Sequence, residues 1–214
     1  MLKKLLSYVY PLTKRVQSNY SGELEITLFN GRKVLDTLNT NYSYGSLQRV
    51  LKYSLNQVDF THIESVLVLG LGGGSVVQTL RQDVHFNGNI TAIELDSVIV
   101  DIAVTEFNLT PDENTTIVCT DAWEFIMTDT HKYDLIIVDL FLDNEIPRQF
   151  LNNEFWKSAL NHLEKEGEII FNTLCNPRTD LTFLKEKLSR RKIDFEVHRY
   201  VEKTNKVLIA HCHA

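Results

Sequence analysis

Residues 66–75 (VLVLGLGGGS) decide the fold of this chain. The four residues VLVL at 66–69 form a short, wholly apolar run, as expected of a strand that is buried on both faces of a sheet. Gly70, Gly72 and Gly74 follow in a G-x-G-x-G pattern. Glycine permits a tight turn and leaves room for a ligand against the backbone. The stretch therefore predicts a buried strand, a glycine-rich turn and then a helix, and the turn alone is as compatible with a structural role as with ligand binding.

Downstream of this stretch, strand-like and helix-like runs alternate. The predicted helices are 75–81, 96–107, 122–128, 153–163 and 180–191, and the predicted strands between them are 90–94, 116–118, 133–139 and 167–173. Such alternation indicates an α/β fold with a parallel sheet and right-handed crossovers. Two last strands, 194–200 and 206–211, are joined by a short loop and must be antiparallel to each other. A mostly parallel sheet that ends in an antiparallel hairpin is typical of class I methyltransferase-like (Rossmann-like) folds.

The first part of the chain has a different pattern. Residues 23–29 (ELEITLF) alternate apolar and polar side chains, and Asn30-Gly31 separates them from a second run over 32–36. Asn-Gly between two such runs is the strongest short signal for a β-hairpin. We predict an N-terminal segment and β-hairpin subdomain over residues 1–40. A methyltransferase-like nucleoside-binding domain over 41–214 follows, and its first helix is predicted over 43–57.

The composition limits the classes of partner. The net charge of −6 argues against nucleic acid as a partner, because phosphate binding favours a basic surface. The three cysteines form no C-x-x-C pair, which indicates reduced thiols and a cytoplasmic location. No apolar run approaches the length of a membrane span, so we expect no membrane partner and a first segment that packs on the domain. The HCH run at 211–213 has no further ligand cluster beside it, and no metal site is predicted.

Acidic residues stand at the end of two predicted strands and just after a third, where ligands bind in open α/β sheets. Glu94 suits a bidentate hydrogen bond to ribose hydroxyls, although it could also be an ordinary exposed glutamate. An NAD site would use a similar carboxylate after G-x-G-x-x-G, but Ser75 stands at the third glycine position. Asp121, with Ala122 behind it, could accept from the adenine amine or cap the following helix. Asp139 ends an apolar run, which favours a raised pKa and a proton-accepting role over a structural one.

Taken together, these motifs resemble the spermidine synthase family in order and spacing. The stretches that carry the resemblance are VLVLGLGGGS, AIELD, DAWEFI, YDLIIVDLF and FWKSALNHLEKEGEIIFNT, with LDTLNTNYSYGSLQ resembling the family's gate region. The resemblance implies a transferase that uses decarboxylated S-adenosylmethionine. It implies Glu94 at the ribose, Asp121 at the adenine, Asp139 as the base for the attacking amine, and Tyr44 shaping the amine site. A homodimer is also implied.

Three acidic positions of the family pattern are changed here. Gly73 stands in place of the aspartate of GGGDGG, Leu142 in place of the second aspartate of DxxDP, and Ser46 in place of the glutamate of Y-x-E. A dicationic amine needs compensating carboxylates in a partly dry site. We therefore expect a small-molecule acceptor other than putrescine, and Asp143 and Glu145 are candidates for contacting it.

Three functions stay open at this point. The first is a diverged, methyltransferase-like enzyme that uses S-adenosylmethionine and an unknown acceptor. The second is a polyamine aminopropyltransferase in which Asp143 replaces a lost carboxylate. The third is a non-catalytic nucleoside-binding paralogue. The charge of the acceptor pocket separates the first two, and turnover separates both from the third.

Overall fold

The computed structural model describes residues 2–37, 41–142, 145–174 and 180–212. Within these ranges the strands form two sheets, one small and antiparallel, the other larger and mixed. The larger sheet carries helices on both faces. The predicted fold class, a methyltransferase-like α/β sheet ending in an antiparallel hairpin, is confirmed.

The small sheet has the strand order β1-β2-β3-β4. Its strands are β1 (Leu12–Gln17), β2 (Glu23–Phe29), β3 (Arg32–Thr37) and β4 (Asn41–Ser43), preceded by the short helix α1 (Leu2–Leu6). The predicted hairpin is confirmed as β2–β3, with Asn30 and Gly31 both at positive φ in the turn. The sequence did not predict β1 or β4. The first is an edge strand with mostly exposed side chains, and the second has only three residues, so neither has an apolar alternation to detect.

The apolar residues of the first segment lie largely outside the core. Leu2, Leu5 and Val9 are 73%, 62% and 86% exposed, whereas Ser7 is buried against the β2–β3 turn. The first segment was expected to pack on the domain. Ser7 does so, whereas Leu2 and Leu5 remain exposed. In the described ranges, no helix combines the length and the apolar character that crossing a membrane would require.

The larger sheet has the order β10-β11-β9-β8-β5-β6-β7. Its strands are β5 (Ser65–Leu69), β6 (Asn89–Glu94), β7 (Thr115–Cys119), β8 (Tyr133–Val138), β9 (Leu163–Leu174), β10 (Asp194–Val201) and β11 (Asn205–His211). The helices are α2 (Gly45–Leu55), α3 (Ser75–Gln82), α4 (Ser97–Phe107), α5 (Ala122–Thr128), α6 (Asn153–Asn161) and α7 (Thr182–Arg190). Strands β5 to β9 pair in parallel, and β11 is antiparallel to both of its neighbours.

Strand β5 is an interior strand of the larger sheet, between β8 and β6. Residues 66–69 have no exposed surface, because α2 and α3 cover one face of the sheet while α5, α6 and α7 cover the other. The chain leaves β5 for β6 on one side and returns to β8 on the other, so the strand order reverses here. Ligands of open α/β sheets bind at such a switch point, outside the carboxyl ends of the strands.

Candidate active site

A cavity of about 590 Å³ lies at the carboxyl ends of β5, β6 and β8. Six of the residues predicted from the sequence line it: Gly70, Gly72, Glu94, Asp121, Ala122 and Asp139. Gly74, Tyr44 and Glu145 are not among its lining residues. Asp143 lies outside the described residues.

The glycines of the loop have separate tasks. Gly70 has φ +96°, and a Cβ there would stand 2.2 Å from the carbonyl oxygen of Asp139, so the β5 and β8 backbones approach too closely for a side chain. Gly74 has φ +84° and begins α3, where a Cβ would meet Leu109 at 2.8 Å. Gly72 donates its backbone N–H to Glu94 at 2.9 Å. Gly70 and Gly74 are required because a side chain at either position would overlap its surroundings, whereas Gly72 connects the loop to the Glu94 carboxylate.

Glu94 is buried at the end of β6, where it joins two backbone segments. Its Oε2 accepts from Gly72 N–H, and its Oε1 accepts from Asp96 N–H at 3.1 Å. Burial raises the pKa of Glu94, and these backbone hydrogen bonds oppose the rise. The carboxylate thus fixes the glycine-rich loop in its curved form and also faces the cavity.

Asp96 was not predicted as a site residue, but it holds the small sheet against the cavity. Its carboxylate caps α4 through Val98 N–H at 2.9 Å and accepts from Asn19 N–H at 2.7 Å and from the Ser18 hydroxyl. Burial alone would raise the pKa of Asp96, but these hydrogen bonds hold it below its ordinary value. These contacts of Asp96 with Ser18 and Asn19 hold the next two residues, Tyr20 and Ser21, in the cavity wall. The sequence signal that could have identified Asp96 is its position directly before a predicted helix, where aspartate commonly caps the first turn.

Asp121 caps a helix and also lines the cavity. Its Oδ1 accepts from Trp123 N–H at 2.6 Å, so the residue caps α5. Its Oδ2 lies 3.5 Å from the side-chain nitrogen of Gln149, at the cavity wall. One oxygen is therefore committed to the helix, and the other is available to a ligand.

Asp139 stands directly after β8, and its backbone N–H donates to Leu69 of β5 at 2.9 Å. Its Oδ1 accepts from Asn172 Nδ2 at 2.7 Å. Burial raises the pKa of Asp139 to about 6, and the hydrogen bond from Asn172 limits the rise. Asn172 belongs to β9 and was missed, although an asparagine inside the apolar run EIIFNT is an unusual core residue.

Tyr44 lies behind the glycine-rich loop. The ring is buried and stacks on Phe107, with centroids 4.3 Å apart, and the hydroxyl donates to the Gly73 carbonyl at 3.1 Å. Burial raises the pKa of the Tyr44 phenol. This placement differs from the predicted direct role in shaping the acceptor site. Tyr44 directly precedes α2 and has φ 69°, a value that sequence patterns do not reveal, and its side chain supports the loop.

The remainder of the cavity wall is mainly apolar. Its apolar members from α2 and from the loop after β8 are Leu47, Leu51, Leu140, Phe141, Leu142, Pro147 and Phe150. The neutral polar side chains of the wall are those of Tyr20, Ser21, Ser43, Ser46, Ser75, Gln149, Thr204 and Asn205. Among the described residues, no lysine or arginine lines the cavity, and no cluster of His, Cys, Asp or Glu could hold a metal ion.

Comparison with known proteins places this arrangement in a family. Residues 47–203 match the spermine/spermidine synthase domain. The chain belongs to the spermine/spermidine synthase domain family. This match begins after Tyr44, so the small sheet lies outside the family domain as matched.

Two kinds of relative share the family domain. The chain is 30% identical over 118 residues to a polyamine aminopropyltransferase of Vibrio vulnificus, covering 54% of this chain and 39% of that protein. It is 31% identical over 128 residues to an eEF1A lysine and N-terminal methyltransferase of Xenopus laevis, covering 55% of this chain and 18% of that protein. The matched region is thus less than half the length of either relative.

A solved structure supports the fold over nearly the whole chain. A probable spermidine synthase from Corynebacterium glutamicum superposes with a TM-score of 0.63 at 18% sequence identity. The superposition covers 94% of this chain and 77% of that one. The spermidine synthase family fold, with its methyltransferase-like sheet, is therefore shown for this protein.

Proposed function

We propose that this protein is an S-adenosyl-nucleoside-dependent transferase that transfers a methyl or related group to a small-molecule acceptor. The observation that carries the proposal is the meeting of Glu94, Asp121 and Asp139 around one cavity at the carboxyl ends of the strands. Membership in a family whose relatives are named as aminopropyltransferases and methyltransferases supports it.

In this proposal the nucleoside of the donor occupies the part of the cavity beside the glycine-rich loop. Glu94 accepts from the ribose hydroxyls, and Oδ2 of Asp121, which does not take part in the helix cap, accepts from the adenine amine, with Ala122 beside it. Gly70 and Gly72 leave the backbone uncovered where the donor approaches. The donor is S-adenosylmethionine or its decarboxylated form.

Asp139 is then placed to accept a proton from the acceptor. The acceptor's lone pair attacks the carbon bound to the sulfonium, the C–S bond breaks with its electrons passing to sulfur, and the proton passes to Asp139. With a pKa of about 6, the carboxyl is ionised at neutral pH and close enough to neutrality to take up this proton. Alignment of the two reactants in the cavity contributes much of the rate.

Methyl transfer is favoured over aminopropyl transfer because two acidic positions of the family pattern, at Ser46 and Gly73, carry no carboxylate here. Ser46 lines the cavity without a charge, and a side chain at Gly73 would have its Cβ 3.0 Å from Ser43 Cβ and 3.2 Å from the Tyr44 ring. An unpaired buried ammonium would cost several kcal/mol. Aminopropyl transfer is the second candidate, favoured by the polyamine aminopropyltransferases among the relatives.

Calorimetry with a panel of nucleosides tests donor binding. We expect S-adenosylmethionine and S-adenosylhomocysteine to bind, and NAD not to bind. Preferential binding of NAD, or no binding of any adenosyl compound, would contradict the proposal. Incubation with decarboxylated S-adenosylmethionine and putrescine then separates the two reactions. Robust formation of spermidine that Asp139→Asn abolishes would support the second candidate instead.

We also propose a homodimer. The small sheet exposes Phe29 at 46%, and α1 adds Leu5 at 62%. Exposed apolar surface of this kind is often covered by a second chain. Light scattering at micromolar concentration should give the mass of two chains, and a monomer would contradict this part of the proposal.

A further inference from the structure

Three polar side chains form a line that leads from the β10–β11 turn to Asp139. Thr204 Oγ1 donates to Asn205 Oδ1 at 2.8 Å, and Asn205 Nδ2 donates to Asn172 Oδ1 at 2.9 Å. Asn172 Nδ2 then donates to Asp139 Oδ1 at 2.7 Å. Asn172 has no exposed surface and Asn205 is 5% exposed. Buried amides destabilise a fold unless they are hydrogen-bonded, and here each amide uses both of its ends.

The direction of donation along this line determines which atom Asp139 meets. The oxygen of the Asn205 amide accepts from the Thr204 hydroxyl, and its nitrogen is turned toward Asn172. The oxygen of Asn172 is thereby occupied, so its nitrogen faces the carboxylate. If either amide were reversed, two acceptor oxygens would meet and a hydrogen bond would be lost.

Asp139 is held at one oxygen. Among the described residues, Asn172 alone donates to this carboxylate, and it does so at Oδ1. The other carboxylates of the cavity wall, Glu94, Asp96 and Asp121, each accept from backbone N–H groups of their own or neighbouring loops. The placement of the Asp139 carboxylate therefore depends on a side chain from another strand. The other three carboxylates are held by backbone N–H groups.

We propose that Asn172 is a positioning residue that holds Oδ1 of Asp139 so that Oδ2 faces the acceptor. Asn205 and Thr204 keep Asn172 in its donating orientation, so the β10–β11 hairpin takes part in acceptor activation. This inference rests on the proposed function, in which Asp139 takes the proton of the acceptor. The hydrogen bond also favours the ionised carboxylate, against the effect of burial.

Carbon NMR of the aspartate carboxyl groups in the ligand-free full chain tests this inference, with Asp139→Asn used to assign the signal. Asn172→Leu should raise the pKa of Asp139 by about one unit or more, a tenfold or larger change in acidity, because a charge-assisted hydrogen bond is lost. Thr204→Val should produce a smaller rise in the same direction. Thr173→Val is the matched control: Thr173 is buried in the same strand and its hydroxyl donates to Lys206 across β9 and β11.

An unchanged Asp139 titration in folded Asn172→Leu would overturn the inference, and so would an equal shift in the Thr173 control. If Asn172→Leu does not fold, Thr204→Val decides, because Thr204 is exposed in a turn and its replacement leaves the core intact. S-adenosylhomocysteine affinity is measured in parallel and should change by less than about twofold in the Thr173→Val control, whose side chain is not part of the cavity wall. Failure of the wild type to bind that ligand would contradict the proposed function while leaving the titration result unaffected.

Discussion

Replacement of Asp139 by asparagine should remove the pH dependence of stability that this one site contributes. The wild-type carboxyl has a pKa of about 6 in the folded protein, against an ordinary value of 3.8. The folded state therefore binds more protons than the unfolded state between these values, so the free energy of unfolding falls as pH rises through this window. A difference of about two pKa units corresponds to about 3 kcal/mol. Asparagine keeps the hydrogen bond from Asn172 but never carries the charge.

Urea unfolding of both proteins, from about pH 4 to about pH 8, measures this difference directly. The two should have similar stability at the acid end, and Asp139→Asn should be more stable by about 3 kcal/mol above pH 6. Other groups that titrate in both proteins, among them Glu94, cancel in the comparison. Parallel stability curves, or a wild type that gains on the variant as pH rises, would refute the assignment of a raised pKa to Asp139.

Three further substitutions test the loop and its carboxylate. Glu94→Gln should weaken S-adenosylhomocysteine binding by about tenfold or more in calorimetry, because a charge-assisted contact is lost, while the exposed Glu124→Gln should bind normally. Gly70→Ala should destabilise the fold by about 3 kcal/mol or more, since its Cβ would overlap the β8 backbone. Gly22→Ala, also at positive φ but in open space, should cost about 1 to 2 kcal/mol in the same unfolding assay. Gly73→Asp should leave the affinity for decarboxylated S-adenosylmethionine unchanged by calorimetry, and a tenfold gain would contradict the crowding seen beside Ser43 and Tyr44.

The fold was predictable because its signals are local. The apolar run of β5, the alternation of strands and helices, and the Asn-Gly turn each lie within a few residues of the element that they specify. The errors fall where the local signal is weak. Strand β9 begins at Leu163 and not at 167, because Leu163 pairs with Tyr133 across an irregularity that includes Glu166 at positive φ.

The site was predictable only in part, for a related reason. Acidic residues at strand ends can be read from the sequence, and Glu94, Asp121 and Asp139 indeed line one cavity. The partners of Asp139 cannot be read in this way. Asn172 is separated from it by 33 residues and Asn205 from Asn172 by another 33, and their contact depends on the register between β9 and β11.

The lost acidic positions are coupled through the junction between α2 and the glycine-rich loop. The Tyr44 hydroxyl is bonded to the Gly73 carbonyl, and its ring occupies the space that a side chain at position 73 would enter. Ser46, at the second lost position, lies two residues further along the same helix and lines the cavity. A side chain at 73 therefore requires the Tyr44 ring to give way, and Tyr44 directly precedes α2, the helix from which Ser46 lines the cavity. Because of this coupling, we expect polyamine binding to require simultaneous changes at the loop and at α2, with no single substitution sufficient.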